Sequence, residues 1–562
     1  MKNGKEKIMR ITVLYGVIVL ALALVAGSVT LSVIGCSKKM TSEPGMKTGT
    51  TTSTGGSTVS GKAEYTLFAA TPAPAFKDAA RYAPPARTQF FNTEEYAYIN
   101  ENGFKSPLRD PLSTFSIDVD TASYSNVRRF LTDGTMPPPD AVRIEELVNY
   151  FSYDYPQPTG QDPFSITMEM SQCPWNWNNM LVHVGLQGKN LNYGDVKPSN
   201  FVFLLDVSGS MSSKNKLPLV KKSLEMLLQE LGPNDRIAIV AYAGAAGLVL
   251  PSTPASHERT IMKALDNLSA GGSTAGGQGI ELAYRVAWEN LIPDGNNRVI
   301  LCTDGDFNVG MSSTGDLVRM IEDKRQHGVY LTICGFGMGN YKDDKMESLS
   351  NAGNGNFFYI DDKSEARKVF VHEMRANMFT LAKDVKIQVE FNPAKVKEYR
   401  LVGYENRILA AEDFNNDLKD AGEIGPGHTV TALYEIVPTG LGEGVQRIDS
   451  LKYQKSEPTE PAYDGNEILN IKFRYKNPKE DHSQLISRVL EDTPRVFAET
   501  SNNFRFSAAV AGWGMLLRQS PYAERLTWGQ IERMAQEAKG SDEMGYRTEF
   551  IELINTSKNI NS

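Results

Sequence analysis

Residues 201–211, FVFLLDVSGSM, restrict what this chain can fold into more than any other stretch. The five apolar side chains from Phe201 to Leu205 show no polar alternation. A strand made of them needs cover on both faces, as in a parallel sheet flanked by helices. The run ends on Asp206, Ser208 and Ser210, three oxygen-bearing side chains at alternate positions, with Gly209 loosening the chain out of the strand. Carboxylate and hydroxyl oxygens grouped in this way suit a hard divalent cation, which takes oxygen ligands at about 2.0–2.6 Å.

Later segments repeat the theme. Residues 217–231 carry helical spacing, and 236–242 form a second apolar strand. The sequence GGSTAGGQGI puts Thr274 at the mouth of a Gly-rich loop leading into a helix over 280–290, and 299–303 is another buried strand, closing on Asp304. Strands alternating with helices predict an α/β fold with a doubly wound, mostly parallel sheet, whose ligands gather beyond the carboxyl ends of the strands. Asp206, Thr274 and Asp304 all fall on that edge, separated by 68 and then 30 residues. On these motifs, residues 198–381 resemble a von Willebrand factor type A domain, a Rossmann-like fold, with a complete metal-ion-dependent adhesion site. The resemblance implies that Ser208, Ser210 and Thr274 coordinate Mg²⁺, with Mn²⁺ or Ca²⁺ as alternatives, and that Asp206 and Asp304 act directly or through water. Ser273 competes for the third hydroxyl position, and counting back from the following helix favours Thr274.

The N-terminus bears on location. Lys2, Lys5, Lys7 and Arg10 precede an uncharged run over 11–34, and Val33-Ile34-Gly35-Cys36 follows. This pattern resembles a bacterial lipoprotein signal, residues 1–36, with Cys36 as the lipidated first mature residue. An uncleaved membrane anchor is the competing reading, since about 20 apolar residues span a bilayer. The small residue before Cys36 and the polar tract after it favour cleavage. Ser37 in the next position resembles an outer-membrane sorting signal, which implies an envelope lipoprotein facing the periplasm of a Gram-negative cell. Residues 37–88 are rich in Ser, Thr, Gly, Pro and Ala and read as a flexible tether. The net charge is −8 with the charges interspersed, so nucleic acid is not an expected partner. Setting Cys36 aside leaves Cys173, Cys302 and Cys334, an odd number that implies no disulfide framework. Cys302 and Cys334 fall within predicted core strands and read as buried thiols.

The flanks of the A-like segment carry their own signals. LSTFSIDVDTASYSNVRRFL runs from a strand over 114–119 into a helix over 123–131, with Asp120 or Thr121 as its N-cap; VRIEELVNYFSYDYP follows, with Ile144, Leu147, Val148 and Phe151 on one helix face. Residues 164–188, 385–391, 429–437 and 468–475 alternate apolar and polar side chains as half-buried strands do. They lie on both sides of the A-like segment, which is therefore expected to be inserted in one antiparallel β-sandwich. The expected divisions are 89–197 (an N-terminal family segment with sandwich strands), 198–381 (the A domain), 382–480 (a β-rich part) and 481–562 (a helical C-terminal region). The LSTFSIDV and VRIEELVNYF segments resemble the N-terminal region of bacterial YfbK-type von Willebrand A lipoproteins, which carry a further domain after the A domain.

Catalytic constellations are not evident. His372-Glu373 lacks the second histidine of a zincin helix, and neither a G-x-S-x-G elbow nor a Walker loop occurs. Gly335, Gly337 and Gly339 read as a strand-end loop. Asp413, Asn415 and Asp417 alternate as in a Ca²⁺ loop, but Leu418 stands where that loop needs Gly, so a polar β-loop is expected. The chain is thus read as a non-enzymatic module that docks a partner's Asp or Glu on its metal. An accessory subunit of an enzyme or ATPase complex, or an envelope scaffold with a structural metal, is the alternative. The resemblance also implies that ligation moves the domain's final helix, expected over 364–379.

Overall fold

The computed structural model describes residues 94–191, 197–243, 245–271, 276–305, 314–337, 342–440 and 457–561. Cys36, with the expected signal and tether, and Ser273 and Thr274 lie outside the described residues.

The chain first lays down β1 (Leu112–Ser116), β2 (Phe164–Cys173) and β3 (Asn176–Gly188). It then builds a six-stranded sheet from β4 (Ser199–Asp206), β5 (Arg236–Tyr242), β6 (Ala246–Pro254), β7 (Asn296–Thr303), β8 (Val329–Phe336) and β9 (Phe357–Ile360). The order is β6-β5-β4-β7-β8-β9, and only β6 runs antiparallel to its neighbour. The unbroken apolar run of β4 explains its central place, because both of its faces are covered. Phe201, Phe203 and Leu205 share a core with Val220, Leu224 and Leu227 of the helix Leu217–Leu228, whereas Val202 and Leu204 share the opposite core with Ile280, Ala283 and Tyr284 of the helix Gly276–Glu289. Cys302 and Cys334 stand in register on β7 and β8 as buried free thiols.

After this domain come β10 (Ala382–Phe391), β11 (Val396–Val402), β12 (Gly422–Ile424), β13 (Thr429–Pro438), β14 (Glu467–Lys476) and β15 (Gln484–Glu491). They combine with the early strands into two antiparallel sheets, β1-β10-β14-β15 with β12 on β10, and β11-β13-β3-β2. The A domain is thus inserted in a sandwich stitched from both flanks. β3 pairs with β13 from Gln187↔Thr429 to Met180↔Ile436. Period-two alternation assigns the faces. Val182, Val184 and Leu186 on β3 and Val430, Ala432, Tyr434 and Ile436 on β13 point into the sandwich core, whereas Leu181 and Leu433 point outward. The outward face is covered by a helical layer built from both ends of the chain, with Tyr124, Leu147 and Phe151 packed with Phe506, Trp513 and Phe550.

Two expectations need correction, and a third is met in part. β15 falls within the 481–562 region expected to be helical: QLISRVLE, with Ile486 and Leu490 four residues apart, imitates a helix, yet it pairs along β14. The final helix expected over 364–379 is broken into Lys363–Arg367, a π-turn over Lys368–His372 and Met374–Met378. Finally, Thr121 stands at the N-cap of the helix Ala122–Thr132, one of the two positions expected, but its side chain makes no capping hydrogen bond. Glu146 does that work from a neighbouring helix, accepting the Ser123 N–H at 2.7 Å. Asp120 instead accepts the Phe357 N–H at 2.8 Å and pairs with Arg407 at 2.9 Å. The 412–425 loop is polar as expected: Asp417 accepts the Ser483 hydroxyl and Asn415 accepts from Arg474.

Buried arginines hold the A domain to its host. Arg128 reaches Asp361 and Glu365 of the A domain and Glu549 of the C-terminal helix Tyr546–Ile560. Arg143 pairs with Asp343 and Glu347. Arg407 pairs with Asp118, Asp120 and Glu347.

Candidate metal centre

Asp206 is the last residue of β4 and is fully buried. Its Oδ1 accepts the Ser208 backbone N–H at 2.8 Å. Its Oδ2 accepts the hydroxyls of Tyr242, at the end of β5, at 3.2 Å and of Thr303, at the end of β7, at 3.4 Å. Burial lifts the carboxyl above the usual range, the Ser208 hydrogen bonds oppose that, and the charge of Asp304 adds to it.

The chain then turns through the 3₁₀ segment Gly209–Ser212, which brings Ser208 Oγ and Ser210 Oγ to 2.9 Å from one another. Ser208 is buried and Ser210 exposed, so the pair opens towards solvent. Asp304 follows β7 and is buried; Gly305 after it takes φ +99°, a turn that a side chain would disfavour. The Asp304 Oδ2 receives the Lys216 ammonium at 2.8 Å. Asp206, Ser208, Ser210 and Asp304 therefore gather at the carboxyl edge of the sheet as the sequence spacing predicts. Tyr242, Thr303 and Lys216 join them without having been singled out. Tyr242 and Thr303 are strand-end residues, so their position carried a signal; Lys216 reads in sequence as an ordinary charge ahead of a helix.

The donor set can be tested against a small divalent ion. Neighbouring oxygens around an octahedral Mg²⁺, at about 2.0–2.1 Å from the ion, stand about 2.8–3.0 Å apart. The two serine hydroxyls have that spacing. Asp206 is already bound by three protein donors, which suits a carboxylate acting through water. The described residues thus offer oxygen donors whose chemistry suits such an ion, at a spacing that the hydrogen bond between the two hydroxyls also gives. Among the described residues, no group of three or more His, Cys, Asp and Glu is placed to hold a metal.

A doubly wound sheet with Asp-x-Ser-x-Ser closing its central strand and a second aspartate closing the next defines a von Willebrand factor type A domain protein. Residues 200–372 match the family described as von Willebrand factor type A domain, 90–183 match one described as von Willebrand factor, and 376–560 match one described as Uncharacterized protein YfbK, C-terminal. The protein named Uncharacterized protein YfbK of Escherichia coli (strain K12) is 45% identical over 484 residues, which span 84% of this chain and 83% of that protein. This chain belongs to the YfbK family of von Willebrand factor type A domain proteins. The human inter-alpha-trypsin inhibitor heavy chain H3 is 27% identical over 191 residues, 32% of this chain and 21% of its own. Among solved structures, the von Willebrand factor type A protein from Catenulispora acidiphila is 17% identical, with TM-score 0.37, covering 69% of this chain and 89% of that one. The ArnB paralog VWA2 from Sulfolobus acidocaldarius is 15% identical, with TM-score 0.34, covering 71% and 98%. Type A domains generally bind protein partners, and at that level the chain is a protein-binding module.

Proposed function

We propose that this chain is an envelope-anchored docking protein that captures an Asp or Glu of a protein partner on a divalent cation. The cation, Mg²⁺ or Mn²⁺, would be held by Ser208, Ser210 and Thr274, with Asp206 and Asp304 acting directly or through water. The observation that carries the reading is the 2.9 Å pairing of the Ser208 and Ser210 hydroxyls, open to solvent on one side and backed by the Asp206 carboxylate. When bound, such an ion supplies a coordination position that a carboxylate oxygen from outside can fill. Ser208 and Ser210 present their oxygens to it, while Tyr242, Thr303 and the Ser208 N–H fix the Asp206 carboxylate. None of these side chains is arranged as a nucleophile with its base, so the site docks its ligand without turnover. Anchoring through Cys36 rests on the basic stretch, the uncharged run and the Gly-Cys step at the N-terminus.

Changing Ser208 and Ser210 together to alanine tests this reading without unpairing Asp206, which keeps the main-chain N–H of residue 208. Mn²⁺ titrated calorimetrically should bind the double variant at least about tenfold more weakly, about 1.4 kcal/mol, with the circular dichroism unchanged. Undiminished Mn²⁺ binding would sink the assignment.

A further inference from the structure

We infer that Lys216 is a built-in counter-cation of the candidate metal centre: it keeps Asp304 paired in the metal-free protein and weakens the site's hold on a divalent ion. The inference rests on the metal reading above and deepens it. The Lys216 side chain is 8% exposed and that of Asp304 is 0% exposed, with 2.8 Å between Nζ and Oδ2. A lysine drawn this far out of water has lost its hydration and needs a close partner in return.

Its place is built by three elements. Lys216 immediately precedes the helix Leu217–Leu228, whose position fixes where the side chain starts. Its stem then crosses Gly337, just beyond β8, where a Cβ would stand 2.2 Å from Lys216 Cε. Gly337 has φ +78°, and its carbonyl accepts the Tyr359 hydroxyl from β9. Any larger residue at 337 would be strained and would also push the ammonium off Asp304.

The consequence follows from charge. Asp206 and Asp304 alone present two negative charges to a divalent ion, and the ion would neutralise them. With Lys216 in place the described cluster carries one, so the site is less attractive to the ion. Once loaded it is left with one net positive charge, and a positive site attracts a carboxylate. Lys216 therefore shifts the balance from tight metal retention towards recognition of an acidic partner. It also lessens the fold's dependence on the ion, because the ammonium stays on the Asp304 carboxylate when the metal leaves.

The test uses the full chain and Mn²⁺ as probe, comparing wild type with Lys216→Met, which keeps the apolar stem over Gly337. Lys216→Gln serves the same purpose should the methionine variant not fold. A unit charge at such short range predicts that the variant binds Mn²⁺ at least about tenfold more tightly than wild type. The variant's melting midpoint should also fall more on adding chelator than that of wild type. Lys216→Met combined with Ser208→Ala and Ser210→Ala should lose the added affinity, which locates the ion. Equal or weaker Mn²⁺ binding by the charge-removed variant, while wild type binds, overturns the counter-cation and leaves the metal reading standing. Absence of Mn²⁺ binding in both overturns the metal reading and this inference together.

Discussion

Replacing Arg407 with methionine probes the seam that ties the A domain to its host. The guanidinium donates to Asp118 at 3.0 and 3.2 Å and to Asp120 at 2.9 Å, both from the N-terminal segment, and lies 3.2 Å from Glu347 of the A domain. Arg407 itself comes from the sandwich, so one side chain joins three parts of the chain. All four side chains are at most 11% exposed. Removing one partner of a buried charge cluster costs about 3–5 kcal/mol, because the remaining charges are left uncompensated. The cost depends on pH. Burial and the neighbouring Asp118 already push the Asp120 carboxyl up to about 8 from 3.8, against the pull of Arg407. The folded state therefore holds this proton more tightly than the unfolded chain. That contribution to stability is fully present below the unfolded value and is lost as pH rises through about 8. Without Arg407 the carboxyl moves higher still, so the deficit of the variant is largest above pH 8 and shrinks towards pH 6. Asp120→Asn added to Arg407→Met removes one of the stranded charges and keeps an acceptor for the Phe357 N–H, so it should restore about 1–2 kcal/mol. Urea unfolding followed by tryptophan fluorescence at pH 6 and pH 8.5 measures all of this. A deficit below about 1 kcal/mol at pH 8.5, or an equal deficit at both values, would refute the reasoning.

Two further outcomes follow from the architecture and the N-terminus. A fragment ending at residue 381 but beginning at 94 lacks β10 and β13, leaving the edges of β1 and β3 unpaired. It should aggregate on size-exclusion chromatography, whereas residues 198–381 alone elute as a monomer; a monomeric 94–381 fragment would show that the hairpin β2–β3 needs no partner from the far flank. Cys36→Ala should abolish incorporation of a fatty-acid analogue in cells, and equal labelling of wild type and variant would exclude lipidation at this residue.

Much of this architecture was legible in the sequence because periodicity reports which face of an element is buried. The run Phe201–Leu205 and the alternation of 164–188 and 429–437 each specify a strand and its covered faces, and a strand end specifies where Asp206 and Asp304 stand. Periodicity does not report partners. Arg128, Arg143 and Arg407 look like surface charges until residues some 200 to 400 positions away come beside them, and Glu146 looks like an ordinary helix residue until it caps Ser123. Lys216 was illegible for the same reason: its meaning is given by Asp304 and Gly337, which follow β7 and β8 far along the chain. β15 was misread because its two inward residues are spaced four apart, a spacing that strand and helix share.

The insertion of the A domain has a consequence for the order of synthesis. β3 pairs along its length with β13, and Thr429 follows Gly188 by 241 residues. At about 5–20 residues per second, a ribosome needs about 12–48 s to supply that missing strand. The A domain has no such wait, since all six of its strands lie between Ser199 and Ile360. For that interval the hairpin β2–β3 carries an unsatisfied row of main-chain donors and acceptors beside a growing chain. Factors that shelter unpaired strands therefore have a defined window here, wherever the chain emerges N-terminus first.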